Sequence, residues 1–253
     1  MKTRLLHYRQ ISWILVIASI ISFSECKLPS SIQPRCPVKS QNWGQCIIQA
    51  IENTKPYLAK GDFGEGFVVP KMEPLYIKRL GMVSHDVNTT ISDLLVTGAS
   101  DFKVTKIKPK IEDLSFEAIL MAPVWKFTGS YVLEVKAGPV EINGKGPIQG
   151  EFFGIGIKIR AKFHPVKENN KTFVRFQRFQ MRMKIQDGKL QLDNLFGGDP
   201  VLGDFGNQFI NTRTQLIIQH LEPELERDLT ATFSKTLTTL FRDVTFEEMF
   251  PVQ

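Results

Sequence analysis

The chain has 253 residues, 42% of them hydrophobic, with 32 basic and 26 acidic side chains and a formal net charge of +6. It is long enough to bury a large core, as one extended domain or two small ones. Its Lys and Arg are spread among Asp and Glu, with no basic block and no aromatic-interleaved basic patch, which excludes nucleic acid as an expected partner.

The first residues read as an export signal. Lys2, Arg4 and Arg9 precede a mostly apolar run from Ile11 to Phe23, and Ser24-Glu25-Cys26 places small residues at the cleavage-determining positions. The run is shorter than the roughly 20 apolar residues of a membrane span, and no later stretch is apolar enough to stop transfer. The expectation is a signal peptide over 1–26 and a mature chain over 27–253, secreted to the extracellular space without stable membrane insertion. Cleavage after Cys26 leaves Cys36 and Cys46, an even pair bound for an oxidising compartment and expected to form one disulfide. Such a short loop contributes about 3 kcal/mol in the chain-entropy picture. With no His partners at ligand spacing, the pair gives no expected metal site.

Residues 42–60 place Ile47, Ile51 and Leu58 near one helical face, and Gly61 stops the helix. Asp62-Phe63-Gly64 follows and returns at Asp204-Phe205-Gly206; this tripeptide holds magnesium in protein kinases. Neither a Lys paired with a helix Glu nor an upstream His-Arg-Asp loop accompanies it, so both copies read as turn punctuation beside other glycines. Pro70 and Pro74 then keep the chain extended into Leu75-Tyr76-Ile77.

From about residue 87 to 195 the apolar period is two. Leu114, Phe116, Ala118, Leu120, Ala122 and Val124 form one dry face; Trp125, Phe127, Tyr131, Leu133 and Val135 form another of opposite parity, which calls for a turn or bulge near Pro123. Ile155, Ile157, Ile159, Ala161 and Phe163 alternate with Lys158, Arg160 and Lys162, and a strand with Phe179, Met181, Met183 and Ile185 follows the turn at Asn169-Asn170. Asp187-Gly188 reads as a hairpin into Leu190 and Leu192. The outward Lys158, Arg160, Arg178, Arg182 and Lys184 read as a solvated face. Asn88-Thr89-Thr90 and Asn170-Lys171-Thr172 make Asn88 and Asn170 candidate glycosylation sites.

The period changes again from about Gly203 to Phe241, which reads as one helix on the order of 55 Å long at 1.5 Å per residue. Phe205, Phe209, Ile217, Leu221, Leu225, Leu229, Phe233, Leu237 and Phe241 recur nearly every fourth position, so the stripe precesses around the axis. A helix enveloped by a curved sheet needs such a stripe; a helix lying flat does not. Glu226, outside the stripe, is expected to be inert. Enzyme chemistry finds no support: the mature chain has His85, His164 and His220 but no Gly-x-Ser-x-Gly elbow and no His-Glu-x-x-His, so no catalytic residue, metal or cofactor is assigned.

Several stretches resemble the takeout and haemolymph juvenile-hormone-binding protein family: LPSSIQPRCPVKSQNWGQCIIQAIENTKPYLAKG with Cys36 and Cys46, MEPLYI at 72–77, ISDLLVTGASDFKVTKIK at 91–108, NLFGGDPVLGDFGNQFIN before the last helix, and FEEMFP at 246–251. The resemblance spans the mature chain in the family's order. It implies an α+β tubular lipid-binding fold, a single domain over 27–253 in which a long, highly curved antiparallel sheet wraps a long C-terminal helix, with a short N-terminal helix before it. It further implies an apolar tunnel for a juvenile-hormone-like terpenoid, fatty acid or related lipid. The family's hormone carriers proper hold a second disulfide, and this chain has no cysteine after Cys46, so it is more similar to the takeout branch. GDFGEGF also replaces a more apolar turn.

On that resemblance the sheet-side ligand candidates are Trp125, Phe127, Tyr131, Leu133, Ile157, Ile159, Phe179, Met181 and Met183, with Phe209, Ile217 and Leu221 from the helix. Tyr131 is the expected polar handle, its phenol free to donate to a ligand oxygen. The expected function is a secreted carrier of a small hydrophobic ligand. The alternatives are a secreted protein-interaction or membrane-surface module without a fixed ligand and, more remotely, a lipid esterase.

Overall fold

The computed structural model describes residues 28–38, 41–83 and 87–251; the expected signal peptide, Cys26 and His85 lie outside them. Helix α1 (Trp43–Lys60) ends where Gly61 turns left-handed, at φ 75°, and its N–H caps the carbonyls of Tyr57 and Leu58. A Cβ there would lie 2.7 Å from Val69 O, so the position needs glycine. Asp62-Phe63-Gly64 is a turn, with the Asp62 carboxylate accepting from Gly64 N at 2.8 Å and Phe63 packed between Tyr57 and Phe67. The second copy is not. It lies inside a helix, where Gly206 leaves room for the Phe196 ring and the Leu195 side chain. Cys36 and Cys46 form the expected disulfide.

One antiparallel sheet follows: β1 (Leu75–Val83), β2 (Val87–Thr97), β3 (Lys103–Lys110), β4 (Ser115–Ala137), β5 (Val140–Glu168) and β6 (Lys171–Leu192). The order is β1-β2-β4-β5-β6, and β3 pairs with the first part of β4, end to end with β2. β5 alone has 29 residues, about 95 Å if straight at ~3.3 Å per residue, so the sheet curls to close on its own core.

The three long strands share a crease. On β4 the buried set passes from Ala118, Leu120 and Ala122 to Trp125, Phe127, Tyr131 and Leu133. On β5 it passes from Ile155 to Phe152, and on β6 from Ile185 to Leu190. The register holds across this line, from Ala122 with Ile155 to Val124 with Phe153, and from Ile155 with Ile185 to Phe153 with Asp187. A bulge in one strand would shift register; here neighbours turn over together. Gly154, at φ 62°, supplies the reversed backbone, and Pro123 has no N–H to leave unpaired.

Asp187-Gly188 is therefore not a hairpin, and β6 runs through it to Leu192. Gly188 is there because the Phe152 ring crosses it, 2.7 Å from where a Cβ would sit. The single helix expected over 203–241 is likewise two, α2 (Pro200–Asn211) and α3 (Thr214–Leu240). At the break Thr212 Oγ1 and Thr214 Oγ1 donate to the carbonyls of Phe209 and Asn211, both at 2.8 Å, competing with helical bonding. α3 spans 27 residues, about 40 Å.

The fold is the expected α+β arrangement, a curled sheet closed by the long C-terminal helix, which packs on β6 and reaches β1. Ile218, Leu221, Leu225 and Leu229 are buried. Farther along, Phe233 meets Phe179 of β6 and Phe241 meets Phe163 of β5, so the apolar stripe does change partners. Phe205, at its start, is 52% exposed.

The seam between helix and sheet is polar. Asn207 accepts from Leu192 N at 2.8 Å and donates to its carbonyl at 2.9 Å; Asn211 does the same for Leu190 at 2.9 and 2.7 Å. Gln215 donates to Gln186 O. Glu222 and Glu226 accept from Ile185 N and Met183 N, each at 2.7 Å. Side chains one or two turns apart thus replace the strand that the β6 edge lacks. Glu226 is accordingly not inert: it also binds Arg182 at 2.6 Å, and its side chain is 12% exposed.

Outside, the two sides of the crease differ. On the β3 side, Lys103, Lys106, Lys108 and Lys110 of β3, Lys158, Arg160 and Lys162 of β5, and Arg178, Arg182 and Lys184 of β6 are all exposed. Register aligns Lys110, Ser115, Lys162 and Arg178 in one row, and Lys106, Ile119, Lys158 and Arg182 in another. Glu117 sits among them, bound to Arg160 at 2.6 Å and Lys158 at 3.2 Å, which hold its carboxyl below the usual range.

Candidate ligand chamber

Beyond the crease the sheet is hollow. A chamber of about 570 Å³ lies between the β1–β2 end of the sheet, the last residues of β6 and the junction of α2 with α3. Its wall is apolar: Ile91 from β2, Leu133 and Val135 from β4, Ile142 and Ile148 from β5, and Leu190 and Leu192 from β6, closed by Phe209, Ile210 and Ile217. The size falls within the ~300–1,000 Å³ of small-molecule pockets. Alternation places these residues inward while Lys126, Glu134 and Lys145 stay outside.

The polar side chains on the lining are Thr89, Tyr131, Arg213, Gln219, His220 and Glu224. Thr89 is 5% exposed, and its Oγ1 has no hydrogen-bond partner among the described residues. Arg213, at the break between α2 and α3, lays its guanidinium 3.8 Å from the centre of the Phe209 ring, a cation–π contact. His220 donates through Nδ1 to Leu216 O at 2.7 Å, which leaves Nε2 as the other ring nitrogen available at the rim.

Tyr131 also lines the chamber, but its hydroxyl donates to Asp193 O at 2.7 Å. The proton expected for a ligand is already committed. Burial, with the Asp193 carboxylate adding to it, pushes the phenol up to about 12. Gly144 makes the approach possible, since a Cβ there would lie 2.6 Å from the hydroxyl.

Of the expected ligand residues, Tyr131, Leu133, Phe209 and Ile217 come together here. Trp125, Ile157, Phe179, Met181, Met183 and Leu221 are buried in the packed core and line neither this chamber nor the smaller one at the far end. Phe127 packs on Phe152 at 4.8 Å, and Ile159 is half-buried against the same core. Parity correctly turned them inward; it carries no information on where an inward face is filled and where hollow. In the sequence Thr89 stands only as the middle residue of a sequon. Its signal was a polar residue at an inward position of β2, opposite Leu133.

A second, smaller chamber of about 270 Å³ lies at the far end, between α1, the β3–β4 turn, Phe116, Phe163, Phe241, Met249 and Phe250. It shares no lining residue with the first. Asn170 is exposed at the β5–β6 turn, and Asn88 is exposed on β2, its Nδ2 donating to Glu134 at 3.2 Å. Among the described residues no group of three or more His, Cys, Asp or Glu is placed to hold a metal ion. No helix among them is long and apolar enough to cross a membrane.

A curled sheet closed by a helix around an apolar chamber is the architecture of a lipid-binding protein of the takeout type. The family model for haemolymph juvenile hormone binding protein (JHBP) matches residues 13–251, and the chain belongs to that family, whose members bind small hydrophobic ligands. It is 22% identical over 261 residues to the circadian clock-controlled protein daywake of Drosophila melanogaster, covering 94% of this chain and 96% of that one. The crystal structure of Epiphyas postvittana Takeout 1 superposes with a TM-score of 0.74 at 16% identity, covering 86% of this chain and 99% of that one.

Proposed function

We propose that the chain is a secreted carrier of one small hydrophobic ligand, a juvenile-hormone-like terpenoid, fatty acid or related lipid, held in the 570 Å³ chamber. Residues 1–26 are removed on export, and 27–253 act as a single binding domain without catalytic groups. The observation that carries this reading is an apolar chamber with one unpaired hydroxyl, Thr89, on its wall. Apolar surface favours any ligand that leaves water, and a buried unpaired hydroxyl costs free energy that a ligand oxygen recovers. Tyr131 acts by position, fixing the chain near Asp193 behind the wall.

The test is organic extraction of the purified protein followed by mass spectrometry, and titration of the delipidated protein with a fluorescent fatty acid. A stoichiometric apolar molecule, or saturable uptake displaced by a terpenoid ester, supports the reading. No extractable lipid together with no uptake refutes it, as does uptake unchanged in Leu192→Trp, which fills the chamber, provided that this variant is shown to be folded.

A further inference from the structure

The sequence reads Lys158, Arg160, Arg178, Arg182 and Lys184 as solvated positions and does not join them to the β3 lysines, because the residues of the exposed basic face come from three strands and lie up to about eighty positions apart. Antiparallel register places them in adjacent rows. Lys106, Lys108, Lys110, Lys162 and Arg178 have no ion-pair partner among the described residues. The acids nearby are few: Glu117 is taken by Lys158 and Arg160, and Glu222 and Glu226 hold Lys184 and Arg182 from the helix side. Glu112 and Asp113 stand at the edge, in the β3–β4 turn.

We propose that this face docks the protein peripherally on an anionic lipid surface. The choice of a membrane rests partly on the carrier reading, because a cargo that avoids water must be exchanged with a lipid phase. It rests also on the face itself. Most of its cations are lysines, point charges suited to mobile headgroups, and the residues between them include Thr105, Ile119 and Met121; the aromatic of the groove, Phe116, is half-buried and stacks on Phe163, which leaves no exposed ring on which a nucleic-acid base could stack. No exposed aromatic or pocketed anchor of the kind that dominates protein interfaces stands among them. The groove across the face also shares Lys110, Ser115 and Phe116 with the smaller apolar chamber, so an apolar opening adjoins the cations, as headgroup and acyl chain adjoin in a bilayer.

Each lysine held near an anionic surface strengthens binding about fivefold, and salt removes the effect. The experiment is flotation of the purified, disulfide-bonded protein with phosphatidylcholine vesicles, with and without phosphatidylserine. The variants are Lys106→Gln/Lys108→Gln/Lys162→Gln on the face and Lys126→Gln/Lys145→Gln/Lys189→Gln beyond the crease, which remove equal charge. Expected are binding only to phosphatidylserine vesicles, loss on the order of 10²-fold in the first triple variant, and little change in the second. Absence of binding to phosphatidylserine vesicles overturns the proposal, including where the protein instead retains an acidic polypeptide or nucleic acid. Equal losses in the two triples overturn it as well, since net charge alone would then act. Uptake of fluorescent fatty acid is measured on the same samples without vesicles: docking without uptake removes the carrier reading alone, and uptake without docking removes the membrane alone.

Discussion

The same three strands build two unlike half-sheets on either side of the crease at Pro123 and Gly154. On the β3 side Ile155, Ile157, Met181, Met183 and Ile185 fill the space beneath α3, and the exterior is basic. On the other side Leu133, Ile142, Ile148 and Leu192 surround a chamber, and the exterior is mixed, with Lys126 paired to Glu151 and Lys136 to Glu141. Because successive residues face opposite ways, interior and exterior can be set independently along one strand. The crease turns the faces over without disturbing the register that holds both halves together. The proposed ligand chamber and the proposed docking face therefore occupy separate parts of one continuous sheet.

The sharpest way to break the comparison is to charge the filled half. Leu229 is 3% exposed, and Leu229→Asp should prevent folding or secretion, since an unpaired buried charge costs several kcal/mol. Normal yield and thermal midpoint would mean that this side of α3 is not enclosed. A matched pair of truncations then tests fullness against hollowness. Ile185→Ala, at a fully buried site, should cost about 2–5 kcal/mol in denaturant unfolding. Leu192→Ala, on the chamber wall, should cost less, because it enlarges a cavity already present. Equal costs would erase the distinction.

The seam comes next. Glu226→Ala leaves Met183 N–H without its partner and releases Arg182, so a loss of roughly 1–3 kcal/mol is expected, with unchanged uptake because Glu226 faces β6 and is not part of the chamber lining. A neutral result would show that the β6 edge is satisfied in another way.

These effects also mark what was legible beforehand. Alternation in β4 and β5 identified the inward residues, and the parity change placed the crease, because burial follows a period of two wherever one face is dry. Asp187-Gly188 misled because a glycine required by the crossing of Phe152 looks, in sequence, like a glycine required by a turn. The break after Asn211 depends on two threonine hydroxyls choosing nearby carbonyls, which apolar spacing does not register. Glu222 and Glu226 resemble any solvated helix acids until β6 is known to present its edge to them. The chamber is a matter of volumes, and no periodicity reports a volume. The basic face required the register of four strands.

Tyr131 offers a smaller effect in the hollow half, readable against pH. Its phenol is raised from 10.0 to about 12, so the native state holds the proton more tightly than the unfolded state. The associated stability is fully present below pH 10 and is lost as pH rises towards 12. Alkaline unfolding of Tyr131→Phe should lack that component, at a cost of about 1 kcal/mol near neutral pH for the lost bond to Asp193. Ligand affinity should change little, because the proton is already donated to the protein. A clear fall in affinity with unchanged stability would return Tyr131 to the role of polar handle.

Thr89 gives the smallest change in stability and the most direct reading of the chamber. Thr89→Val keeps the shape and removes a hydroxyl whose oxygen is buried without a partner among the described residues. The free protein should therefore be as stable as before or slightly more so, by up to about 1 kcal/mol, since an unsatisfied polar group is replaced by a methyl. A ligand oxygen bonded to that hydroxyl would lose about 0.5–1.5 kcal/mol of binding, while a hydrocarbon of the same length would lose nothing. Comparing a fatty acid or terpenoid ester with its unfunctionalised hydrocarbon, in both proteins, separates polar recognition from simple burial. If the two ligands respond alike, the chamber selects by volume alone. If the Thr89→Val substitution lowers stability instead, the hydroxyl has a protein partner in the native state, and the hollow half is more completely satisfied than the comparison requires.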